Sequence, residues 1–550
     1  MPTVSAHVAL TLARHLDHVF GVMGNGNAYF LDALERSTSV AFTAVRHEAG
    51  GVVAADAYHR ASGRLAAATA TYGAGFTNTL TALAEAVQAH VPLILVVGDE
   101  PTSGPRPWDV DQIALASAVG ARTYTVGRAD AAATTVIAIE HALTYRVPTV
   151  LAIPYDVAAR DAGPVPAAPD PRLPGPLSPA GPFAVAAVRD IASALASAER
   201  PLLLAGRGAW IAGAGSALGE VADLTGALTA STALGRGVFP RPEFDLGVTG
   251  GFGAEDAMAR VREADVAVVF GASLNQFTMR FGDLFAPGTK VLQVDVAPAA
   301  THPHVGGFVR GDAAVVARAV ADDLRARGAA PSGWRERVDA PAARTYDVGD
   351  GSAVDGRLDP RSVAVRVAEL LPEDRVVVSD GGHFIGWANM YWPVASPDRM
   401  MMVGTAFQSI GLGFPSVAGA ALARPESTIV LTTGDGGGLM ALADLESAVR
   451  VAGGRGLAVV WNDAAYGAEV NLYGLKGLAP GPMLIPEVDF AALAAGVGAE
   501  GVVVRSLADL DRLADWAAQP SASRPFLLLD CRISGTVVAP YQEEIIRVNS

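Results

Sequence analysis

Short, unbroken runs of β-branched and aliphatic residues recur along the whole chain, each followed by a longer, alanine-rich amphipathic stretch. The runs include PLILVVGD and PTVLAIPYD in the first third, ADVAVVFGAS and KVLQVDV in the middle, and RVVVSDGG, STIVLTTGD and GLAVVWND in the last. Runs without polar alternation suit strands buried on both faces, and strands that alternate with helices suit parallel sheets covered on both sides. The pattern therefore predicts an α/β protein of three doubly wound parallel-sheet domains. Two stretches interrupt it. Residues 160–182 (RDAGPVPAAPDPRLPGPLSPAGP) are dense in proline, which forbids regular structure and favours an extended tether. Residues 328–360 form a longer, mixed connection. Domains at 1–165, 183–327 and 358–550 follow, and 550 residues are too many for one core.

Composition adds exclusions. Hydrophobic residues make up 51% and charged residues 18%, as in a well-buried globular enzyme. A net charge of -15 without a basic run argues against nucleic acid or an anionic membrane as partner. The one cysteine, Cys531 in FLLLDCRI, has no internal disulfide partner and reads as a buried thiol. No stretch approaches a membrane span, and the N-terminus MPTVSAHVALTLARHL lacks a signal-peptide plan, so a cytoplasmic protein is expected.

Chemistry concentrates in IVLTTGDGGGLM, residues 429–440, where a strand runs into one aspartate among four glycines. Glycine lets backbone N–H groups approach a bulky anion, and Asp435 could hold a metal against it. The segment LMALADLESAVRVA, the strand LAVVW and then NDAAYGAEV follow. Asp435 and the pair Asn462–Asp463 thus fall at the C-terminal ends of consecutive parallel strands, on the edge where such sheets bind ligands. Oxygen ligands there suit a hard cation such as Mg²⁺, and the N–H groups of Gly436 and Gly437 suit a diphosphate. The glycines of LLLAGRGAWIAGAGSALGEV miss the full dinucleotide spacing and read as a plain strand–helix turn.

A GDG followed, just under thirty residues on, by an Asn/Asp pair resembles the thiamine diphosphate enzymes, in particular acetohydroxyacid synthases and benzaldehyde lyase. The blocks VFGVMGNGNAYFLDAL, RHEAGGVVAADAYHRASG, YGAGFTNTLTALAEAVQAHVPLILVVGD, SDGGHFIGWANMYW and FQSIGLGFPSVAGAAL extend the likeness over nearly the whole chain. The resemblance implies pyrimidine-binding, central and diphosphate-binding domains in that order. It implies that Glu48 bonds the cofactor's pyrimidine as a buried acid, and that Ile410 wedges beneath the cofactor's bend. It further implies that the Gln408 carbonyl and Ile410 N–H meet the pyrimidine edge. Gly381, His383 and Phe384 would lie by the diphosphate, with Gly434, Asp435, Gly436, Gly437 and Tyr466. Relatives usually carry NN where this chain has ND. Anchoring on the following YG makes Asp463 the side-chain metal ligand and Ala465 the carbonyl donor; counting from GDG gives Asn462 and Ala464. The first is preferred, because the turn AGGRG can absorb a residue.

The pocket departs from the relatives. EPTSGPRPWDVDQ lacks the histidine pair of pyruvate decarboxylases and the glutamine of the synthases and the lyase, with Pro107 and Trp108 nearby. Gly26 replaces the lyase's histidine. Asn25, His383 and Glu469 fall where relatives place catalytic polar groups. Arg236 and Arg280 are candidate carboxylate or nucleotide contacts or surface charges, and the altered stretch GVTGGFGAED argues against bound FAD. The resemblance implies a thiamine diphosphate- and Mg²⁺-dependent enzyme, acetolactate synthase-like, that cleaves and forms C–C bonds of a 2-keto acid or ketol with decarboxylation. A benzaldehyde lyase-like carboligase without decarboxylation and a non-catalytic cofactor-binding homologue are the alternatives. It also implies a homodimer or homotetramer with the site between subunits.

Overall fold

The computed structural model describes residues 2–167 and 169–549 and contains three six-stranded sheets, every strand pair of which is parallel. The first holds β1 (His18–Gly21), β2 (Ala41–Ala44), β3 (Ala67–Ala70), β4 (Ile94–Asp99), β5 (Arg122–Thr125) and β6 (Thr149–Pro154), in the order β2-β1-β3-β4-β6-β5. The middle sheet holds β7 (Pro201–Ala205), β8 (Leu228–Ser231), β9 (Asp245–Val248), β10 (Val266–Phe270), β11 (Lys290–Asp295) and β12 (Val305–Arg310), in the order β12-β11-β10-β7-β8-β9. The third holds β13 (Arg375–Ser379), β14 (Met400–Met402), β15 (Thr428–Gly434), β16 (Gly456–Asn462), β17 (Glu500–Val504) and β18 (Leu527–Arg532), in the order β14-β13-β15-β16-β18-β17. The doubly wound fold read from the hydrophobic runs is present three times. Central strands such as β4 and β15 are buried at every position, which is why their sequences show no alternation.

The first and third sheets share one core. Helix Glu48–Ser62 lies against helix Gly413–Ala423, and Val52, Tyr58, Val417 and Ala421 belong to a single apolar cluster. A Cβ at Gly419 would collide with the carbonyl oxygen of Ala54, so glycine sets how closely the helices approach. Polar ties flank the contact. Asp444 accepts the Arg46 N–H at 2.8 Å, and Arg46 pairs with Glu446 at 2.8 Å. Buried Arg60 pairs with Asp56 at 2.5 Å and Glu85 at 3.1 Å, and donates to the Met402 carbonyl at 2.9 Å.

The 328–360 connection is not a free tether. Trp334 and helix Ala340–Ala343 pack into the middle domain's core, and Tyr346 donates to the Phe252 carbonyl at 2.6 Å. The described residues of the proline-rich stretch form no helix or named strand up to helix Gly181–Ser197, which begins inside it. Cys531 is buried, as expected. No helix among the described residues is long and apolar enough to cross a membrane.

Candidate active site

Because β13, β15 and β16 are neighbours, the loops leaving their C-terminal ends meet on one edge. Asp435 opens a short helix, Asp435–Met440, directly after β15. Its Oδ1 accepts the Gly436 N–H at 2.9 Å, so that donor is turned toward the chain's own carboxylate. Its Oδ2 is buried without a partner, as is Oδ1 of Asp463. The other Asp463 oxygen lies 3.0 Å from His383 Nε2. Burial, and then the charge of Asp463, push the Asp435 carboxyl up to about 7. Burial alone would lower the pKa of His383, but its bond to Asp463 and the charges of Asp463, Asp435 and Glu469 raise it.

Asn462 and Asp463 turn different ways, and each keeps one buried oxygen without a partner. Asn462 ends β16 fully buried and donates to Asp530 on β18 at 2.9 Å and to the Val488 carbonyl at 3.2 Å, away from Asp435. Asp463 turns toward His383 and Asp435. The following turn needs a left-handed residue, Ala464 (φ 60°). The Ala464 carbonyl accepts from Ile485 at 2.9 Å, and Tyr466 donates to Met483 at 2.8 Å. In that bridge Ala465 is the non-bonded residue, so its carbonyl is turned to the other side.

Glycines keep the surroundings open. A Cβ at Gly436 would stand 2.7 Å from the Tyr466 ring, one at Gly434 2.9 Å from Phe384, and one at Gly381 2.6 Å from the Ser409 carbonyl. Gln408 has φ 58°, and among the described residues neither its carbonyl nor the Ile410 N–H makes a hydrogen bond within the chain. Ile410 is half-exposed rather than part of the core. These are features of an edge left free to bind something.

Asp380, which the sequence reading passed over, organises this region. It is fully buried at the end of β13 and accepts N–H groups of Gly381 at 2.8 Å, Gly411 at 3.1 Å and Leu412 at 3.1 Å, with the Thr433 hydroxyl at 3.0 Å. Burial pushes its carboxyl up to about 6 against those bonds. An aspartate following a strand and preceding GG was the available signal.

Of the remaining predicted residues, only Glu469 lies close enough to this edge for its charge to act on His383. Glu48 begins helix Glu48–Ser62 and accepts from Asn78 at 3.0 Å. It is half-exposed in the single chain, not buried as expected, although the helix it opens packs on the third domain. Asn25 donates to the Tyr72 hydroxyl at 2.9 Å. Glu469 is exposed at the end of a short helix. Arg236 is neither a surface charge nor a free ligand group: it is buried and donates to Asn389 and the Trp392 carbonyl, joining the middle and third domains. Arg280 pairs with Glu255 at 2.5 Å and lies 3.9 Å from Glu544.

The donor set fits a divalent cation beside a diphosphate. Two buried carboxylates each carry an orphaned oxygen, an arrangement that costs energy until something positive satisfies them. Among the described residues no group of three or more His, Cys, Asp or Glu is arranged to hold a metal, so backbone and ligand oxygens must complete such a shell.

Comparison with known proteins agrees with this geometry. Residues 2–119, 188–320 and 380–531 match, in order, the thiamine pyrophosphate enzyme N-terminal TPP binding domain, central domain and C-terminal TPP binding domain. The chain is 29% identical to the acetolactate synthase large subunit of Parasynechococcus marenigrum, over 96% of this chain and 87% of that protein. It is 29% identical to the probable acetolactate synthase large subunit of Methanocaldococcus jannaschii, over 77% and 73%. It is 26% identical to the sulfoacetaldehyde acetyltransferase of Roseovarius nubinhibens, over 100% and 94%. The three domain matches in sequence order, on three sheets of the expected topology, make this chain a thiamine pyrophosphate-dependent enzyme of the acetolactate synthase-like family.

Proposed function

We propose that the chain is a Mg²⁺-requiring, cytoplasmic carboligase that cleaves a C–C bond beside the carbonyl of a 2-keto acid or ketol and passes the fragment to a proton or an acceptor carbonyl. The observation that carries the reading is the pair of buried, unpartnered oxygens on Asp435 and Asp463 at adjacent strand ends. Asp435, Asp463 and the Ala465 carbonyl would hold Mg²⁺, with diphosphate oxygens completing the shell. The backbone at Gly381, Gly434, Gly436 and Gly437, with Phe384 and Tyr466, would line the diphosphate. His383, bonded to Asp463, would hold that ligand in place and keep a proton close to the diphosphate.

Thiamine diphosphate, when bound, supplies a nucleophilic carbon and an electron sink. The chain's part is to orient and to manage protons. The free Gln408 carbonyl and Ile410 N–H would bind the pyrimidine edge, while the Ile410 side chain holds the bend. Glu48 would hydrogen-bond a ring nitrogen and hold the proton there, a role that needs a desolvated acid. Glu48 is half-exposed and, among the described residues, has no hydrogen bond or ion pair to the third domain of its own chain. This supports a homodimer or homotetramer in which a second subunit's third domain covers it.

The test is a panel of 2-keto acids and ketols, incubated with cofactor and Mg²⁺ and scored for CO₂ and coupled products by mass. CO₂ release from a keto acid together with a ligated product is expected. Cofactor binding without consumption of any donor would overturn the reading.

A further inference from the structure

The loop after β1 is pinned by buried Asn27, which accepts the Gly24 N–H at 2.8 Å and donates to the Val22 carbonyl and Thr69 hydroxyl, both at 3.0 Å. On that loop Gly26 donates its N–H to the Thr71 hydroxyl at 2.8 Å. A Cβ at Gly26 would stand 2.7 Å from Cδ1 of Tyr72 and 2.9 Å from the Thr71 hydroxyl. The absence of a side chain at 26 therefore makes room for the tyrosine ring. Asn25 fills one lone pair of the phenol oxygen, at 2.9 Å, while the phenol donates to nothing among the described residues. Its proton is left for an outside acceptor.

The ring is held on its other faces. The Arg106 guanidinium lies 4.0 Å from its centroid, and Tyr155 meets it edge-on at 6.1 Å and 88°. Arg106 is itself fixed by two bonds to the Asp109 carboxylate, at 2.9 and 2.7 Å. Its charge is matched by Asp109, so it serves as a platform. The same short loop after β3 carries Gly75, whose Cβ would lie 3.3 Å from Oε1 of Glu48 and 2.6 Å from the Thr71 side chain. Tyr72 thus stands on the Glu48 edge of the first sheet, with an ordered ring and an unspent proton.

We propose that the Tyr72 hydroxyl contacts substrate, donating a hydrogen bond to the carbonyl oxygen at the reacting carbon. Such a bond strengthens as that oxygen gains negative charge during attack, which lowers the barrier more than it tightens substrate binding. Asn25 orients the phenol, and Arg106 with Asp109 positions the ring without touching substrate. This assignment rests on the carboligase reading above.

The experiment compares the holoenzyme with Tyr72→Phe, using the keto acid turned over fastest in the panel. Exchange of the cofactor's C2 proton, followed by NMR, stays as fast as in the unaltered holoenzyme, while kcat falls about 100-fold and KM changes less than about threefold. Asn25→Ala, which only frees the phenol, shows a smaller loss in kcat with the same split. Normal exchange with Tyr72→Phe turnover within twofold of the unaltered enzyme overturns the role of Tyr72 alone. Exchange no faster than in free cofactor, in the unaltered holoenzyme, overturns the thiamine chemistry and this role with it.

Discussion

At the residue scale, Asn462 and Asp463 divide two tasks that one strand end has to perform. The asparagine ties β16 to Asp530 and the segment before helix Phe490–Gly496, while the aspartate faces Asp435. Asp463→Ala is expected to weaken Mg²⁺-dependent cofactor retention by at least about 100-fold, read by equilibrium dialysis, because one of the two proposed carboxylate ligands is lost. Asn462→Ala is expected to keep that Mg²⁺ dependence and to lower stability by about 1–3 kcal/mol in denaturant titrations, since it strands a buried Asp530 oxygen. The strand-to-glycine pattern made Asp435 legible, and a pair of polar residues after the next strand made its neighbour legible. The preference for Asp463 over Asn462 rests on slack in the AGGRG turn alone, because one slip in the count moves a side chain to the opposite face. Tyr72 was also out of reach, since its meaning depends on an empty position at Gly26, some forty-five residues earlier.

At the scale of elements, Asp380 fastens three connections that are far apart in the chain: the end of β13, the turn at Gly411 and Leu412, and the end of β15 at Thr433. An amide cannot accept all of these donors. Asp380→Asn is therefore expected to cost about 1–3 kcal/mol and to loosen cofactor binding without touching the metal ligands, as read by calorimetry of apo and loaded protein. The strands and their order were visible as unbroken apolar runs, because buried parallel strands tolerate little else. The docking of the 328–360 connection was not legible because its mixed composition hides a few apolar anchors: Trp334, Ala340 and Ala343 pack it into the middle domain's core.

At the scale of the whole molecule, the proposed homo-oligomer would join Glu48 of one chain to Asp435 of another. Mixing Glu48→Gln chains with Asp435→Asn chains should then regenerate intact sites in mixed dimers, to about a quarter of full activity for random pairing. No recovery after subunit exchange would mean that each chain builds its own site. The packing of helix Glu48–Ser62 on helix Gly413–Ala423 carries an acid sensitivity. His59, in the first of these helices, is buried with its Nδ1 2.9 Å from the Arg64 carbonyl, and burial lowers its pKa to about 4. Its folded pKa lies below the unfolded 6.5, so its contribution is complete above pH 6.5 and is lost as pH falls toward 4. That amounts to roughly 3 kcal/mol, and His59→Gln should flatten the stability profile in this window.

One feature of the packing limits how such a protein can move. Gly419 lets the backbone of one helix press against Ala54 of the other, and the apolar cluster runs through both sheets without a seam. A hinge between the opening and closing thirds would have to tear that cluster apart. Any breathing that admits reactants or frees products must therefore come from surface loops or, in the proposed homo-oligomer, from one protomer rocking against another, and a covalent staple across the Glu48–Ser62 and Gly413–Ala423 helices of one chain should leave turnover unchanged.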